Sequence, residues 1–410
     1  MLKRGIAIIG AGHGGVQAAA SLREYGYDGP LTLLCDEADL PYHKPPLSKA
    51  FLKTPDHEPQ ILRPESFYTN NAIDLLLNTR VSMVDLATNR LEIHAGAPLS
   101  FDRLILATGT RSRILPIRGC DLAGCFMLRS LKSAVELRSA MVDASNIVVI
   151  GGGFIGMEVA ATLAQSGKQV TVLEAGDRVL GRAVAPLISA HMTHVLGAIG
   201  VDIRTNARID RLDGVGHVSG VVMQDGHRFA ADLVLISVGA EPNVELAQAA
   251  GLTCNNGINV DATLRSSHPD VYAIGDCALY PNWQAQRNVR LESVQNATDH
   301  ARLVARNILG ASDSYHDVAW FWSDQASVKL QMTGLNFVSN RSVISGKPED
   351  NSFSVYHFQD HRLLTVDSVN RGADHMLGRR MLAAGFNPSD TQIAGGTTEL
   401  KAALAAFQLT

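Results

Sequence analysis

A chain that writes one phrase twice has to fold one unit twice. GIAIIGAGHGG at 5–15 returns as NIVVIGGGFIGME at 146–158. In the first copy the run 6–9 is short, apolar and rich in isoleucine, as a strand buried on both faces requires. Gly10, Gly12 and Gly15 follow at the spacing GxGxxG, and 16–23 reads as a helix. A second apolar run at 31–34 ends in Cys35, Asp36 and Glu37. The second copy repeats each part: strand 147–150, then Gly151, Gly153 and Gly156, helix 157–165, strand 170–173 and Glu174. The order has a physical purpose. Glycines let the backbone turn sharply and approach a pyrophosphate, and the helix N-terminus that follows presents free N–H groups and about half a positive charge. A carboxylate about 20 residues on accepts ribose hydroxyls. Asp36 lies 21 residues after Gly15 and Glu174 lies 18 after Gly156, with Glu37 as the reserve acid. One such motif is weak; the same parts in the same order, twice, argue for two dinucleotide sites.

The duplication runs further. The strand 101–106 ends in Ala107, Thr108 and Gly109, and the strand 233–238 ends in Gly239. The turn-punctuated segments 79–99 and 201–229 that precede them are expected as small antiparallel sheets. A third phrase, YAIGDCA at 272–278, falls after the second unit, and its Gly275 and Asp276 are expected to return to the first domain. Two dinucleotides, one gripped by discontinuous chain, suit a resident flavin and a visiting nicotinamide. Composition leaves this reading unopposed. A net charge of −4 with 19% charged residues gives no basic surplus for nucleic acid. No run approaches the roughly 20 apolar residues of a membrane span, and the apolar run near the N-terminus is too short for a signal peptide. A cytoplasmic monomer is expected.

Nine stretches then carry a resemblance: PYHKPPLSKAFL (41–52), ILATGTR (105–111), GGGFIGMEVAATLA (151–164), VTVLE (170–174), AEPNVELA (240–247), YAIGDCA (272–278), ESVQNATDHA (292–301), WFWSDQ (320–325) and DSVNRGADHMLGRRML (367–382). Together they resemble the FAD-dependent ferredoxin reductases of the putidaredoxin-reductase type, which serve bacterial cytochrome P450s and aromatic-ring dioxygenases. PPLSK and WFWSDQ discriminate; the others are shared with further two-dinucleotide flavoproteins. The resemblance implies an α/β fold: two Rossmann-like dinucleotide-binding domains in tandem, glutathione-reductase-like, plus a C-terminal α+β domain. Residues 1–111 and 241–319 would form the FAD domain, 112–240 the NAD domain, and 320–410 the domain covering the flavin.

The resemblance also implies site residues. Gly10, Gly12, Gly14 and Gly15 would meet the FAD pyrophosphate, and Asp36 or Glu37 the adenosine ribose. Lys44, where the family often has arginine, would lie on the adenine side. Lys49 would reach the isoalloxazine edge near N5, and Gly275 and Asp276 the ribityl hydroxyls. Val81, Ala107, Thr108, Gly109 and Arg129 are further FAD contacts; Val294 would face the pyrimidine end and Trp322 would form an aromatic wall. For NAD, Gly151, Gly153, Ile155 and Gly156 would cradle phosphate and ribose. Glu158 would lie near the nicotinamide amide, with Arg182 and Gly239 alongside the cofactor. Lys49, Glu158 and Trp322 are the catalytic candidates, since a lysine at that edge stabilises negative charge developing on reduced flavin. Plainer readings stand beside these: a solvated loop lysine, an acid in a first helical turn, a core aromatic. Glu174 would accept from the 2′-hydroxyl of NADH; against a 2′-phosphate the repulsion is ~4 kcal/mol for unit charges at about 4 Å and an effective dielectric of about 20. NADH is therefore expected over NADPH, although Arg178 and Arg182 follow and arginine also binds phosphate.

The cysteines decide the route of the electrons. Cys35, Cys120, Cys125, Cys254 and Cys277 are sparse and odd in number, which suits a reducing compartment. Glutathione-reductase-type enzymes carry a Cys-x4-Cys disulfide soon after the first acid, where this chain has PYHKPPLSKAFL. Cys120 and Cys125 have that spacing but fall after ILATGTR, and are read as loop cysteines; Cys277 has no partner and is read as buried. Electrons would then leave the flavin without a dithiol relay. No histidine or cysteine spacing suits zinc or an iron–sulfur cluster, so a [2Fe–2S] centre must sit on a partner ferredoxin. In the tail, 353–358 and 363–369 are expected as paired strands, 376–384 and 399–407 as helices, and Arg371, Arg379 and Arg380 as a basic docking patch or a solvated helix face. Three alternatives share the scaffold: an NADH oxidase, which lacks its cysteine near 40–45 here; a rubredoxin or monodehydroascorbate reductase; and a non-enzymatic NADH sensor of the apoptosis-inducing-factor type.

Overall fold

The structure is a computed structural model that describes residues 5–54 and 56–409. The chain divides into two compact units, the first formed by Met1–His43, Gln60–Arg111 and Glu241–Ala319. Its centre is a parallel sheet in the order Asp74–Leu76, Leu31–Leu34, Gly5–Ile9, Leu99–Leu106, with Val271–Ala273 joining parallel to the last of these. All five residues of Gly5–Ile9 are buried, as a strand covered on both faces must be. The strand Leu99–Leu106 serves two sheets: its start pairs antiparallel with Arg90–Ile93, and its end pairs with Gly5–Ile9 and Val271–Ala273. Val81–Asp85 completes the antiparallel part, so the expectation for 79–99 holds. The chain returning at 271–273 carries Gly275 and Asp276 to the end of this sheet.

The second unit comprises Lys44–Pro59, Ser112–Ala240 and Trp320–Thr410. It builds the same parallel sheet: Val201–Arg204, Gln169–Leu173, Asn146–Ile150, Leu233–Ile236, Cys125–Phe126. The fifth position is filled by later chain in one unit (271–273) and by earlier chain in the other (125–126). Cys125 is therefore a strand residue, not the loop cysteine expected. The segment 201–229 also differs from expectation. Val201–Arg204 is a strand of the parallel sheet, and only Ile209–Val215, His217–Met223 and Arg228–Ala230 form the antiparallel one. Lys44–Pro59 belongs to this unit, not to a continuous first domain, because Ser48 and Lys49 bond to Glu158 and the Arg138 guanidinium stacks on Phe51 at 4.0 Å.

The C-terminal part of this unit is an antiparallel sheet in the order Trp320–Gln325, Val328–Gly334, Arg362–Val369, Ser352–Gln359, Arg341–Lys347. The hairpin expected from 353–358 and 363–369 is present. Helices Gly372–Ala384 and Gly396–Phe407 follow. Four helices begin three or four residues earlier than expected: His13–Glu24, Phe154–Gln165, Gly372–Ala384 and Gly396–Phe407. Each starts at or beside a glycine, whose poor helix propensity hides a first turn held by its surroundings.

Candidate functional site

Both glycine loops are built alike, and in each the glycines do different work. A Cβ on Gly10 would lie 2.3 Å from the Ala107 carbonyl oxygen, and one on Gly151 would lie 2.3 Å from that of Ser237. Both have positive φ, +104° and +105°. A Cβ on Gly15 would lie 1.8 Å from the Gly10 oxygen, and one on Gly156 would lie 2.2 Å from the Gly151 oxygen. These glycines are required by the protein itself. Gly12 and Gly153 are not: nothing lies within 4 Å of a Cβ built on either. Each is the N-cap of the following helix, without a side-chain cap and without an acid in the first turn. Open space before an uncapped helix N-terminus fits a pyrophosphate in both places.

In the first unit, Ala107 donates its N–H to the Ile9 carbonyl (2.8 Å), which sets the second strand end beside the glycine loop. Thr108 donates through Oγ1 to the Asn243 carbonyl (2.7 Å) and accepts the Asn243 amide at its own carbonyl (2.8 Å). Asn243 also donates its backbone N–H to Gly109, so AEPNVELA is stitched to ILATGTR. Gly275 has φ +70° and opens a short 3-10 turn that presents Asp276. The Asp276 carbonyl accepts Arg290 (3.0 Å), and its carboxylate accepts from Thr110 Oγ1 at 3.4 Å. Val294 opens the helix Val294–Ile308 under the Ser293 cap. Val81 opens its strand just after Thr79, whose N–H binds the Cys35 carbonyl.

The ribose acids occupy different registers in the two units. Gly10 donates to the Leu34 carbonyl as Gly151 does to that of Leu173. The structural counterpart of Glu174 is therefore Cys35, and Asp36 and Glu37 come one and two residues later. Asp36 is exposed; Glu37 accepts the Tyr42 hydroxyl at 2.5 Å. Glu174 accepts the Gly152 N–H on Oε2 and the Gly176 N–H on Oε1, both at 2.7 Å. It thus ties the glycine loop to the strand end. Arg182 lies beside Gly239, its Nη2 3.5 Å from a Cβ built there, and Ile155 is exposed at the start of its helix. Arg178 is committed to the carbonyls of Val184 and Gly181, leaving Arg182 as the candidate for a phosphate.

The second unit also holds the catalytic candidates. Lys49 Nζ lies 3.0 Å from Glu158 Oε1, and the Glu158 side chain is 6% exposed against 21% for the lysine. Ser48 donates to Glu158 Oε2 (2.5 Å) and Ser323 donates to Oε1 (2.6 Å), while Gln325 donates its amide to Ser323 Oγ (3.0 Å). An acceptor-only carboxylate is what three converging donors require. Ser48, Ser323 and Gln325 are not among the residues that the sequence singles out. The signal was there: PPLSK places a serine before the lysine, and WFWSDQ alternates. Strand alternation puts Phe321, Ser323 and Gln325 on one face, where Phe321 packs on Phe154 at 4.7 Å. Trp322 lies on the other face beside Trp320, 5.5 Å between ring centroids. Lys44 caps the 3-10 turn Pro45–Ser48, and Arg129 precedes the helix Leu131–Ala140, donating its N–H to Ser133 Oγ.

None of the five cysteines is in a disulfide, and Cys125 is pushed up to about 11 by burial and then by Cys120 and Asp121. Burial likewise raises Cys277. Neither is a ready thiolate. Among the described residues no group of three or more His, Cys, Asp or Glu side chains could hold a metal ion, and no helix is long and apolar enough to cross a membrane. The expected basic patch is depleted. Arg371 is paired with Asp374 (2.6 Å) and Arg379 lies over the Trp320 ring at 4.7 Å, which leaves Arg380 exposed.

Comparisons with known proteins agree with this geometry. Rhodocoxin reductase of Rhodococcus erythropolis is 42% identical over 402 residues, 98% of this chain and 94% of that protein. Rubredoxin–NAD(+) reductase of Pseudomonas putida is 40% identical over 89% of this chain and 95% of its own length. The crystal structure of the covalent putidaredoxin reductase–putidaredoxin complex matches with a TM-score of 0.95 at 35% identity, covering all of both chains. The family described as pyridine nucleotide-disulphide oxidoreductase matches residues 4–301, and the reductase C-terminal domain matches 320–404. With two glycine cradles of one design, two parallel sheets of one order and these matches along its length, the chain belongs to the pyridine nucleotide-disulphide oxidoreductase family.

Proposed function

We propose that this protein moves electrons from NADH to a [2Fe–2S] ferredoxin that feeds a cytochrome P450 or a ring-hydroxylating oxygenase: NADH plus two oxidised ferredoxins give NAD+, two reduced ferredoxins and a proton. The observation that carries the reading is the pair of open cradles at Gly12 and Gly153, each before an uncapped helix N-terminus. The first suits FAD and the second NADH. Bound FAD would supply the conversion between a two-electron hydride and single electrons. The protein's part is to hold and to polarise. Gly10, Gly12, Gly14 and Gly15 form the diphosphate cradle of the first unit, with Asp36 or Glu37 for the ribose and Asp276 for the ribityl chain. Gly151, Gly153 and Gly156 form the second cradle, with Glu174 for the adenosine ribose. Lys49, 3.0 Å from Glu158, would stabilise negative charge on a reduced flavin.

Support for the acceptor comes from the rhodocoxin and putidaredoxin reductases named above. The P. putida relative supports a second reading, in which rubredoxin is the acceptor. Steady-state reduction of a panel of [2Fe–2S] ferredoxins and of rubredoxin, with NADH as donor, separates them. Strong stimulation by a ferredoxin is expected; reduction of rubredoxin alone would replace the proposal with the second reading.

A further inference from the structure

The helix Val294–Ile308 buries a titratable residue that the proposed chemistry does not use. His300 is fully buried, at 0% exposure. Its Nδ1 accepts the backbone N–H of Gly275 at 3.2 Å. An accepting Nδ1 leaves the ring proton on Nε2, which is buried and has no hydrogen-bond partner. The ring instead meets two tyrosines edge to face: Tyr280, with centroids 4.6 Å apart at 86°, and Tyr315, 4.5 Å apart at 88°. Both tyrosines have further anchors. Tyr280 donates to Asn296 Oδ1 at 2.9 Å, and the Tyr315 N–H binds the Ala262 carbonyl at 2.8 Å. The imidazole is therefore wedged in place, with one strong contact, and that contact goes to the turn that presents Asp276.

That turn needs holding. Gly275 sits at φ +70°, and a Cβ there would meet the Ala297 Cβ at 3.2 Å. Its N–H is buried, and a buried N–H without an acceptor is costly. We propose that His300 is a positioning residue for the flavin: as a neutral Nδ1 acceptor it locks the Gly275–Asp276 turn in the shape that offers Asp276 to the ribityl chain. The inference rests on the FAD reading of the first unit. Burial supports the neutral form, holding the imidazole down to about 3. The role asks only for an acceptor at that place, so an amide oxygen should serve and an alkyl group should not.

FAD titration of the apoprotein, followed by flavin fluorescence quenching, tests this without turnover. His300→Gln is expected to bind FAD within about two-fold of the native chain, and His300→Leu roughly ten-fold more weakly, the factor one hydrogen bond is worth. Equal weakening in both variants, or none in His300→Leu, would overturn the proposal. Should His300→Leu fail to fold, nitrogen-15 histidine spectra of the native protein, assigned through His300→Gln, decide. A signal of the Nε2–H tautomer that stays neutral at pH 5 is expected; an Nδ1–H tautomer or an ordinary titration would refute the role. A native protein that takes up no flavin at all would instead remove the reading on which the inference stands.

Discussion

Gly153 and Gly156 stand three residues apart in one motif, yet replacing each by alanine should break different things. At Gly156 a Cβ would sit 2.2 Å from the Gly151 carbonyl oxygen, more than an ångström inside the roughly 3.5 Å of ordinary contact. The clash is with backbone, so the loop or the helix has to move. Overpacking of this kind costs about 3 kcal/mol, which predicts a fall in Tm of about 3–4 °C for a chain of 410 residues. Gly153 has extended backbone, φ −79° and ψ −178°, which alanine adopts freely, and nothing lies within 4 Å of the new methyl. Gly153→Ala should therefore leave stability within about 0.5 kcal/mol of the native value. Its methyl would instead occupy the space proposed for the nicotinamide cofactor's diphosphate. Displacing that group costs about 1–3 kcal/mol, or a rise in KM for NADH of roughly 5- to 150-fold. Thermal unfolding and steady-state kinetics on both variants measure the split. An unchanged KM in Gly153→Ala, with its Tm also unchanged, would show that the open space is not a cofactor site.

Three further outcomes follow from the same geometry. Glu174→Gln removes the charge that opposes a 2′-phosphate, so the NADPH-to-NADH ratio of kcat/KM should rise at least about ten-fold; an unchanged ratio would show that Glu174 only braces Gly152 and Gly176. Replacing Cys120 and Cys125 together by serine should leave NADH-driven ferredoxin reduction intact, and its loss would put a dithiol back into the pathway. His300, neutral in the folded state down to about 3 against 6.5 when exposed, withholds a proton that the unfolded chain takes up as pH falls below 6.5. The folded state should lose up to about 2 kcal/mol between pH 7 and pH 5 through this group. Guanidinium unfolding midpoints at the two pH values should show that share missing in His300→Gln; identical acid sensitivity would contradict the buried, neutral assignment.

What the sequence made legible was local. Strand, glycine loop, helix and strand end lie within some thirty residues, and their spacing is set by backbone geometry that recurs in both units. Even there one register escaped: Cys35, not Asp36, is the counterpart of Glu174, which only the matched bonds from Gly10 and Gly151 reveal. The strand Cys125–Phe126 was hidden because two residues carry no period, and Val201–Arg204 because a short parallel strand looks like the start of a hairpin. The carboxylate of Glu158 was named, but its clamp was not. Ser48 lies 110 residues before it and Ser323 lies 165 after it, and no spacing rule reaches so far. His300 is hidden in the sequence for a similar reason, being a polar residue on a helix whose partner is a backbone N–H twenty-five positions away.

The proposed reaction passes electrons from NADH to the flavin without a thiol relay. Anaerobic addition of NADH to the purified protein, before and after alkylation of its accessible cysteines, tests this most directly through the flavin absorbance. One flavin per chain, bleached by about one equivalent of NADH and equally so after alkylation, is the predicted result. Bleaching that disappears on alkylation, or a colourless protein that takes up no flavin, would contradict it.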